Sequence, residues 1–356
     1  MIGKLQHAIQ NSDKLDGALI LSPENRRYYT GFDSTDGFLL VSAEKAIFIT
    51  DSRYVEAAQK QVVADCEVRL QGDTYSQLLE TLLELGVQSV GVEASRLTLA
   101  QYAVLKEELE PLYVVADTTL DAMITEQRMV KTPQEIEKIL QAQRIAEDAF
   151  AHICQFIKPG KTEKEVALEL DFYMLSHGAE ALSFQTIAIT GTKTSMPHGV
   201  PDDTVIQNGD FVTMDYGAVV DGYHSDMTRT VAVGSVSEEQ KKVYEIVLEA
   251  QKAVCDGVKA GMRGTEGDAL ARDIIGAAGY GAYFGHGTGH GVGVEIHEEP
   301  RLSLAGHRIL QENNVVTSEP GIYLPGKFGV RIEDMLRITK DGAQNLTKCP
   351  KELIIL

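Results

Sequence analysis

Cysteine is sparse in this chain and nowhere paired. Cys66, Cys154, Cys255 and Cys349 stand singly along 356 residues. That spacing excludes a CxxC site and a disulfide scaffold, and leaves reduced, mostly buried thiols. Apolar runs long enough to span a bilayer are missing too, which excludes a membrane helix. The opening MIGKLQHAIQNSDKLDG has no apolar signal core, so no secretory leader is read and a cytoplasmic location is expected. Basic residues are in deficit: 33 Lys and Arg face 52 Asp and Glu, a formal net charge of −19. Such a surface repels phosphate backbones, which argues against nucleic acid as a partner. It draws divalent cations weakly and without specificity, so it makes no metal site by itself. A GxSxG elbow, a GxxxxGK[ST] phosphate loop and a GxGxxG fingerprint are lacking in any suitable context, which leaves little support for covalent or nucleotide chemistry.

The length allows two or three domains, each with its own core. In the first part, GALILS (17–22), GFLLVS (37–42), KAIFITD (45–51) and SVGVEA (89–94) read as strands. Residues 53–63 and 75–85 read as helices, and PENRRYYTGFDSTD (23–36) as a loop. Strands alternating with helices predict an α/β domain over 1–121. A linker is expected over 122–131 and a second domain over 132–356. Thr132-Pro133-Gln134-Glu135 opens a helix with a capping box and runs to about Phe156.

The second domain carries a weak duplication. IKPGKTEKEVALEL (157–170) resembles VKAGMRGTEGDALA (258–271), with the Thr-Glu pairs 103 residues apart. DFVTMDYG (210–217) resembles NVVTSEPG (314–321), which superposes Asp215 on Glu319 at an offset of 104. Two units of helix, helix, strand, strand would place these acids on related strands about a pseudo-twofold axis.

Five metal-ligand types follow in order: Asp215, Asp226, His290, Glu319 and Glu333. Four carboxylates and an imidazole are what two hard-to-borderline divalent ions need if they share bridging oxygens. Val220-Asp221-Gly222 is a hairpin signal that folds Asp226 back toward Asp215. Asp210 and Asp221 read as turn residues. HGTGHGVG supplies His286 and His290 among glycines that permit close backbone approach. His297 falls on an expected strand, VEIHEEP. One of these three histidines would be a ligand while the others handle protons. Strand alternation puts Arg331 on the face of Glu333, as a clamp on a ligand carboxylate, and turns Asp334 away. The set suits a hydroxide bridging two ions about 3.5–4 Å apart.

MPHGVP, MDYGAVVDGYHSDMTRT, HGTGHGVGVEIHEEP, SEPGIY and VRIED, in this order, resemble the pita-bread metallopeptidases, in the Xaa-Pro branch of aminopeptidase P and prolidase. NRRYYTGFDSTDGFLLV and TDSRYVEAA resemble that branch's creatinase-like N-terminal domain. The resemblance implies hydrolysis of the bond between an N-terminal residue and proline, aminopeptidase P-like before prolidase. It implies two divalent ions, usually manganese and sometimes cobalt or zinc, and a homodimer. Asp215 would chelate one ion, Asp226 and Glu333 would bridge both, and His290 and Glu319 would complete the other shell. Glu319 would also act as general base. His198 would contact substrate, His297 would stabilise the tetrahedral intermediate or shuttle a proton, and His286 would shape the proline pocket. Arg331 matches the Arg beside the bridging Glu. GFDSTDG (31–37), with Arg53, would be a loop that closes a partner's site. Methionine aminopeptidase shares the catalytic fold but usually lacks the N-terminal domain, and typically lacks the first His of HGTGH and the Arg of RIED. Creatinase-like amidinohydrolysis and a non-catalytic peptide-binding module fit poorly with five intact ligands. His224 is left with a structural or supporting part; His7, His152, His177 and His307 read as ordinary residues.

Overall fold

The computed structural model describes residues 1–356. They form two compact units, Met1–Arg128 and Met129–Leu356. No helix is long and apolar enough to cross a membrane.

The first unit contains α1 (Ile2–Gln10), β1 (Gly17–Ile20), α2 (Pro23–Thr30), β2 (Phe38–Ser42), β3 (Ala46–Thr50) and α3 (Val55–Gln61). It continues through β4 (Glu67–Leu70), α4 (Thr74–Glu84), β5 (Ser89–Val92), α5 (Leu99–Glu108), β6 (Tyr113–Val115) and α6 (Thr119–Met129). The strands make one sheet in the order β4-β3-β2-β1-β5-β6. β1, β2 and β3 are antiparallel neighbours; the outer pairings are parallel. Leu19, Leu40, Ile47, Val90 and Val92 pack on Leu78, Leu82 and Leu105.

One expectation fails here. The span 23–36 is not all loop, because α2 occupies its first half. Pro23 sits in the first turn, Gly31 closes the helix at φ 72°, and Tyr28 and Tyr29 are buried. Proline at the start and a left-handed glycine at the end are helix boundaries, which the polar composition obscured. Across the expected linker, α6 continues to Met129, with Leu120, Ile124 and Met129 buried.

The second unit opens with α7 (Pro133–Phe156) and α8 (Glu163–Ser176), followed by β7 (Ala181–Leu182) and β8 (Ile187–Thr190). β9 (Phe211–Tyr216), β10 (Ala218–Val220), β11 (Tyr223–His224) and β12 (Met227–Ala232) complete its first half. The second half has α9 (Glu238–Gly257), α10 (Gly264–Ala277), β13 (Gly289–Gly291), β14 (Glu298–Leu302) and β15 (Val315–Ser318). It ends with β16 (Gly321–Leu324), β17 (Phe328–Arg331), β18 (Asp334–Ile338) and β19 (Ala343–Asn345). The halves repeat: β9 is the middle strand between β8 and β12, and β15 the middle strand between β13 and β18. Each half buries its own helix pair against its strands.

The repeat has a different register from the one the Thr-Glu pairs imply. Thr162 caps α8 and Arg263 caps α10, an offset of 101 residues. The third helical residues, Glu165 and Glu266, each accept the cap's backbone N–H, at 2.9 and 2.6 Å. That bond from the cap's N–H to the third-residue glutamate, rather than the Thr-Glu dipeptide, marks the equivalent helix starts.

Lys131, just before α7, is buried against Glu298 at 2.9 Å. Removing the ammonium takes the cation away from a buried carboxylate. Lys131→Met is expected to destabilise the second unit by about 3 kcal/mol, read as a lower urea midpoint against the unsubstituted chain.

Candidate metal centre

β9 and β12 are antiparallel, with Asp215 opposite Thr228. Alternation puts Asp226 on the face of Thr228, so both aspartates point to one side. Between them the strands nearly touch. A Cβ on Gly217 would stand 1.9 Å from Ser225 O, so only glycine lets the hairpin close. The second half repeats the arrangement. Glu319 follows the middle strand β15, as Asp215 lies on β9; Glu333 directly precedes β18, as Asp226 precedes β12. His290 comes from β13, where a Cβ on the preceding Gly289 would stand 2.0 Å from Thr317 O.

Ligand atoms of Asp226, His290 and Glu333 all lie within 4.8 Å of one another, and all three residues are buried. His290 Nε2 is 3.5 Å from Asp226 Oδ2 and 3.3 Å from Glu319 Oε1. Its Nδ1 is 3.0 Å from Gly291 O, a bond that takes the proton on Nδ1; Nε2 can then ligate a cation when one is bound, and bonds Glu319 when none is. Arg331 Nη2 donates to Asp215 Oδ2 at 2.6 Å. The clamp expected beside Glu333 therefore falls on Asp215. Glu333 Oε2 instead accepts from Thr228 Oγ1 at 2.7 Å.

Burial raises the Asp226 carboxyl well above its usual range, and the facing charges of Asp215 and Glu319 add to this. Burial does the same to Glu333, helped by Asp226 and Glu319. Asp215 is raised by burial while Arg331 pulls it back. Glu319 alone goes down: burial raises it, but the hydrogen bond from His290 and the charges of His290, His286 and Arg331 outweigh that. Three buried carboxyls thus resist ionisation beside one that does not, a site short of positive charge. Asp215 Oδ1 is buried with no hydrogen-bond partner. Hard oxygen donors, one free imidazole lone pair and a charge deficit fit divalent cations.

Two cavities meet at this cluster. One, of about 290 Å³, is walled by Phe184, Ile187, Val200, Pro201 and Ile296, with His198 and His297 on its lining. The other, of about 420 Å³, is lined by His198, His286, His297, Arg301, Ser303 and Arg331. Both reach Asp215, His290 and Glu319. His286 is within 2.8 Å of both Gly287 O and Tyr323 Oη. His297 precedes β14 instead of lying on a strand, and its ring centroid is 4.5 Å from that of His290. The bend over 292–297 is what turns it into the cavity. His224 does not line either cavity; its backbone N donates to Gly293 O at 2.9 Å. Thr228, Tyr323, Thr317 and Arg301 were not read from the sequence. The alternation of DMTRT carries a signal for Thr228; Arg301 carries none, because its place depends on how β14 packs.

Residues 137–340 match the model for metallopeptidase family M24, and residues 1–130 match the creatinase/prolidase N-terminal domain. The chain belongs to metallopeptidase family M24. Its catalytic domain has the pita-bread fold of that family and follows a creatinase-like domain in the sequence. Among M24 relatives, a Xaa-Pro dipeptidase of Pyrococcus horikoshii is 39% identical over 99% of this chain and 98% of its own. The solved Xaa-Pro dipeptidase from Bacillus anthracis superposes with a TM-score of 0.94 at 44% identity, covering 100% of this chain and 99% of that one. The X-Pro aminopeptidase from Thermotoga maritima gives a TM-score of 0.90 at 38% identity, covering 96% and 98%.

Burial lowers the His297 imidazole to about 4, and the neighbouring His290 and Arg301 charges add to this. In the metal-free M24 chain, the His297 ring signals in NMR are therefore expected to stay flat from pH 8 to pH 6. A titration near pH 6.5, the ordinary histidine value, would contradict this placement.

Proposed function

We propose that this chain hydrolyses the peptide bond between an N-terminal residue and a following proline, with two divalent cations, manganese foremost. The observation that carries the reading is the buried cluster of Asp226, His290 and Glu333, with ligand atoms within 4.8 Å, at the meeting of two cavities. Asp215, Asp226, His290, Glu319 and Glu333 would hold the ions. When bound, the ions lower the pKa of water and polarise the scissile carbonyl.

The protein's own groups act around them. Glu319, kept ionised beside His290, accepts the proton of the attacking water and returns it to the proline nitrogen. His297 stays neutral and donates its N–H to the oxygen on which charge develops. His198 lines both cavities and contacts substrate across their junction. His286, held by Tyr323, walls the proline side. Arg331 fixes Asp215 and opposes its protonation. A bond to proline has no N–H and a restricted geometry, so a dedicated pocket can select it.

Dipeptides are the favoured substrates. The Xaa-Pro dipeptidase relatives are alike over nearly the whole chain, and Arg301 lines the second cavity, where it suits a free carboxylate. An aminopeptidase P-like enzyme, open beyond proline, is the second reading and rests on the Thermotoga likeness. A homodimer and a cytoplasmic location belong to the same proposal. A methionine aminopeptidase is disfavoured by the N-terminal domain and by the presence of His286 and Arg331.

Manganese-loaded protein is expected to cleave a Xaa-Pro dipeptide faster than a longer peptide beginning Xaa-Pro. Arg301→Ala should raise KM for the dipeptide about tenfold and leave the longer peptide unchanged; the reverse preference would favour the second reading. Asp226→Asn and Glu333→Gln should each lose bound metal by elemental analysis and abolish turnover. Full metal content and activity in both would defeat the ligand assignment.

A further inference from the structure

We infer that Arg229 and the segment 347–356 position Glu333 for cation binding from behind the strand, touching neither cation nor substrate. The inference rests on the proposed metal-binding role of Glu333.

Asp226 lines the first cavity and Thr228, on the same face, donates its hydroxyl to the Glu333 carboxylate, so Arg229, next in the strand, points the opposite way. Its side chain is almost wholly buried, and all its donor nitrogens are engaged. Nη1 donates to Thr228 O at 2.9 Å and to Glu333 O at 2.5 Å. Nη2 donates to Asp334 Oδ1 and Cys349 O, both at 2.8 Å, and Nε to Pro350 O at 2.8 Å. A planar fork with five N–H groups can satisfy this set; a lysine ammonium has three and no fixed plane.

The consequence falls on Glu333. Its N–H donates to Thr228 O at 3.1 Å, its carbonyl is held by Arg229, and its carboxylate accepts from Thr228 Oγ1. The adjoining Asp334 is fixed as firmly. Its Oδ2 accepts from Lys351 Nζ and Asn345 Nδ2 at 2.7 Å and from Gln251 Nε2 at 2.9 Å. The segment that supplies Cys349 O, Pro350 O and Lys351 is anchored in turn. Cys349 N donates to Glu147 Oε1 at 2.8 Å, Tyr244 Oη to Lys351 O at 2.9 Å, and Leu356 N to Ala232 O at 2.9 Å. Moving the guanidinium would move the peptide unit that sets the direction of the Glu333 carboxylate.

The test is calorimetric titration of metal-free, full-length protein with Mn²⁺, beside melting curves. Arg229→Lys is expected to weaken Mn²⁺ binding by about tenfold or more, the range for groups that orient a ligand, with KM for a Xaa-Pro peptide unchanged at saturating Mn²⁺. Lys351→Met, at a partly exposed position, should fold readily and weaken binding by about threefold; it decides the matter if Arg229→Lys does not fold. Ile153→Ala, a core truncation on α7, serves as the control: a lower melting temperature with unchanged Mn²⁺ affinity. If the Arg229 and Lys351 variants melt lower but bind Mn²⁺ like the unsubstituted chain, the pair is scaffold only and the inference falls. If the unsubstituted chain takes up no Mn²⁺, the metal reading itself fails first.

Discussion

The second unit is organised around negative charge that has been taken out of water. Asp215, Asp226, Glu319 and Glu333 converge where burial alone would protonate them, and the permanent cation bonded to them is Arg331. A buried carboxylate group without compensation costs several kcal/mol, so the fold must supply either protons or cations. The close backbone contacts at Gly217 and Gly289, the bend that delivers His297, and the hydroxyls of Thr228 and Thr317 all serve to hold these charges at short range. A fold that keeps this strain does so for chemistry, since apolar residues would pack the same space at lower cost.

The duplication explains how one chain can build such a site. A middle strand brings one acid and the start of a neighbouring strand brings the second, once in each half. Symmetry ends at the histidine: β13 contributes His290 only in the second half, and its glycine neighbours let that strand approach β15. The two cavities inherit this asymmetry. One is walled by apolar side chains from the first half and by Ile296; the other carries His286, Arg301 and Arg331 from the second.

Much of this was legible from residue order. The strands around Leu19, Leu40 and Ile47, the helix capped by Thr132, and the hairpin at Asp221-Gly222 follow from local chemistry, and local chemistry is written in sequence. The five candidate ligands could be named because Asp, His and Glu each sat in a glycine-bearing or alternating motif. What was hidden depends on distant contacts. α2 looked like a loop because its boundaries are backbone signals inside a polar stretch. Arg331 was placed beside Glu333 by alternation along its own strand, but its guanidinium reaches across to Asp215 on β9. Arg301 gave no sign, since only the packing of β14 brings it to the cavity. The paired segments 157–170 and 258–271 already stand in the true register of 101 residues, whereas the Thr-Glu pairs within them are not the equivalent helix starts, because capping is decided by the residue that accepts the N–H.

Two buried arginine–aspartate pairs join the halves of the second unit, and they run in opposite directions. Arg331 of the second half binds Asp215 of the first at 2.6 Å, and Arg229 of the first binds Asp334 of the second at 2.8 Å. Each half thus lends a guanidinium to the other and borrows one back. A state with one half folded and the other open would strand a buried arginine and a buried aspartate at once. Partial unfolding is therefore penalised twice, and the repeat behaves as a single cooperative block. A duplicated unit tied in this way can no longer be divided into the two modules its symmetry displays.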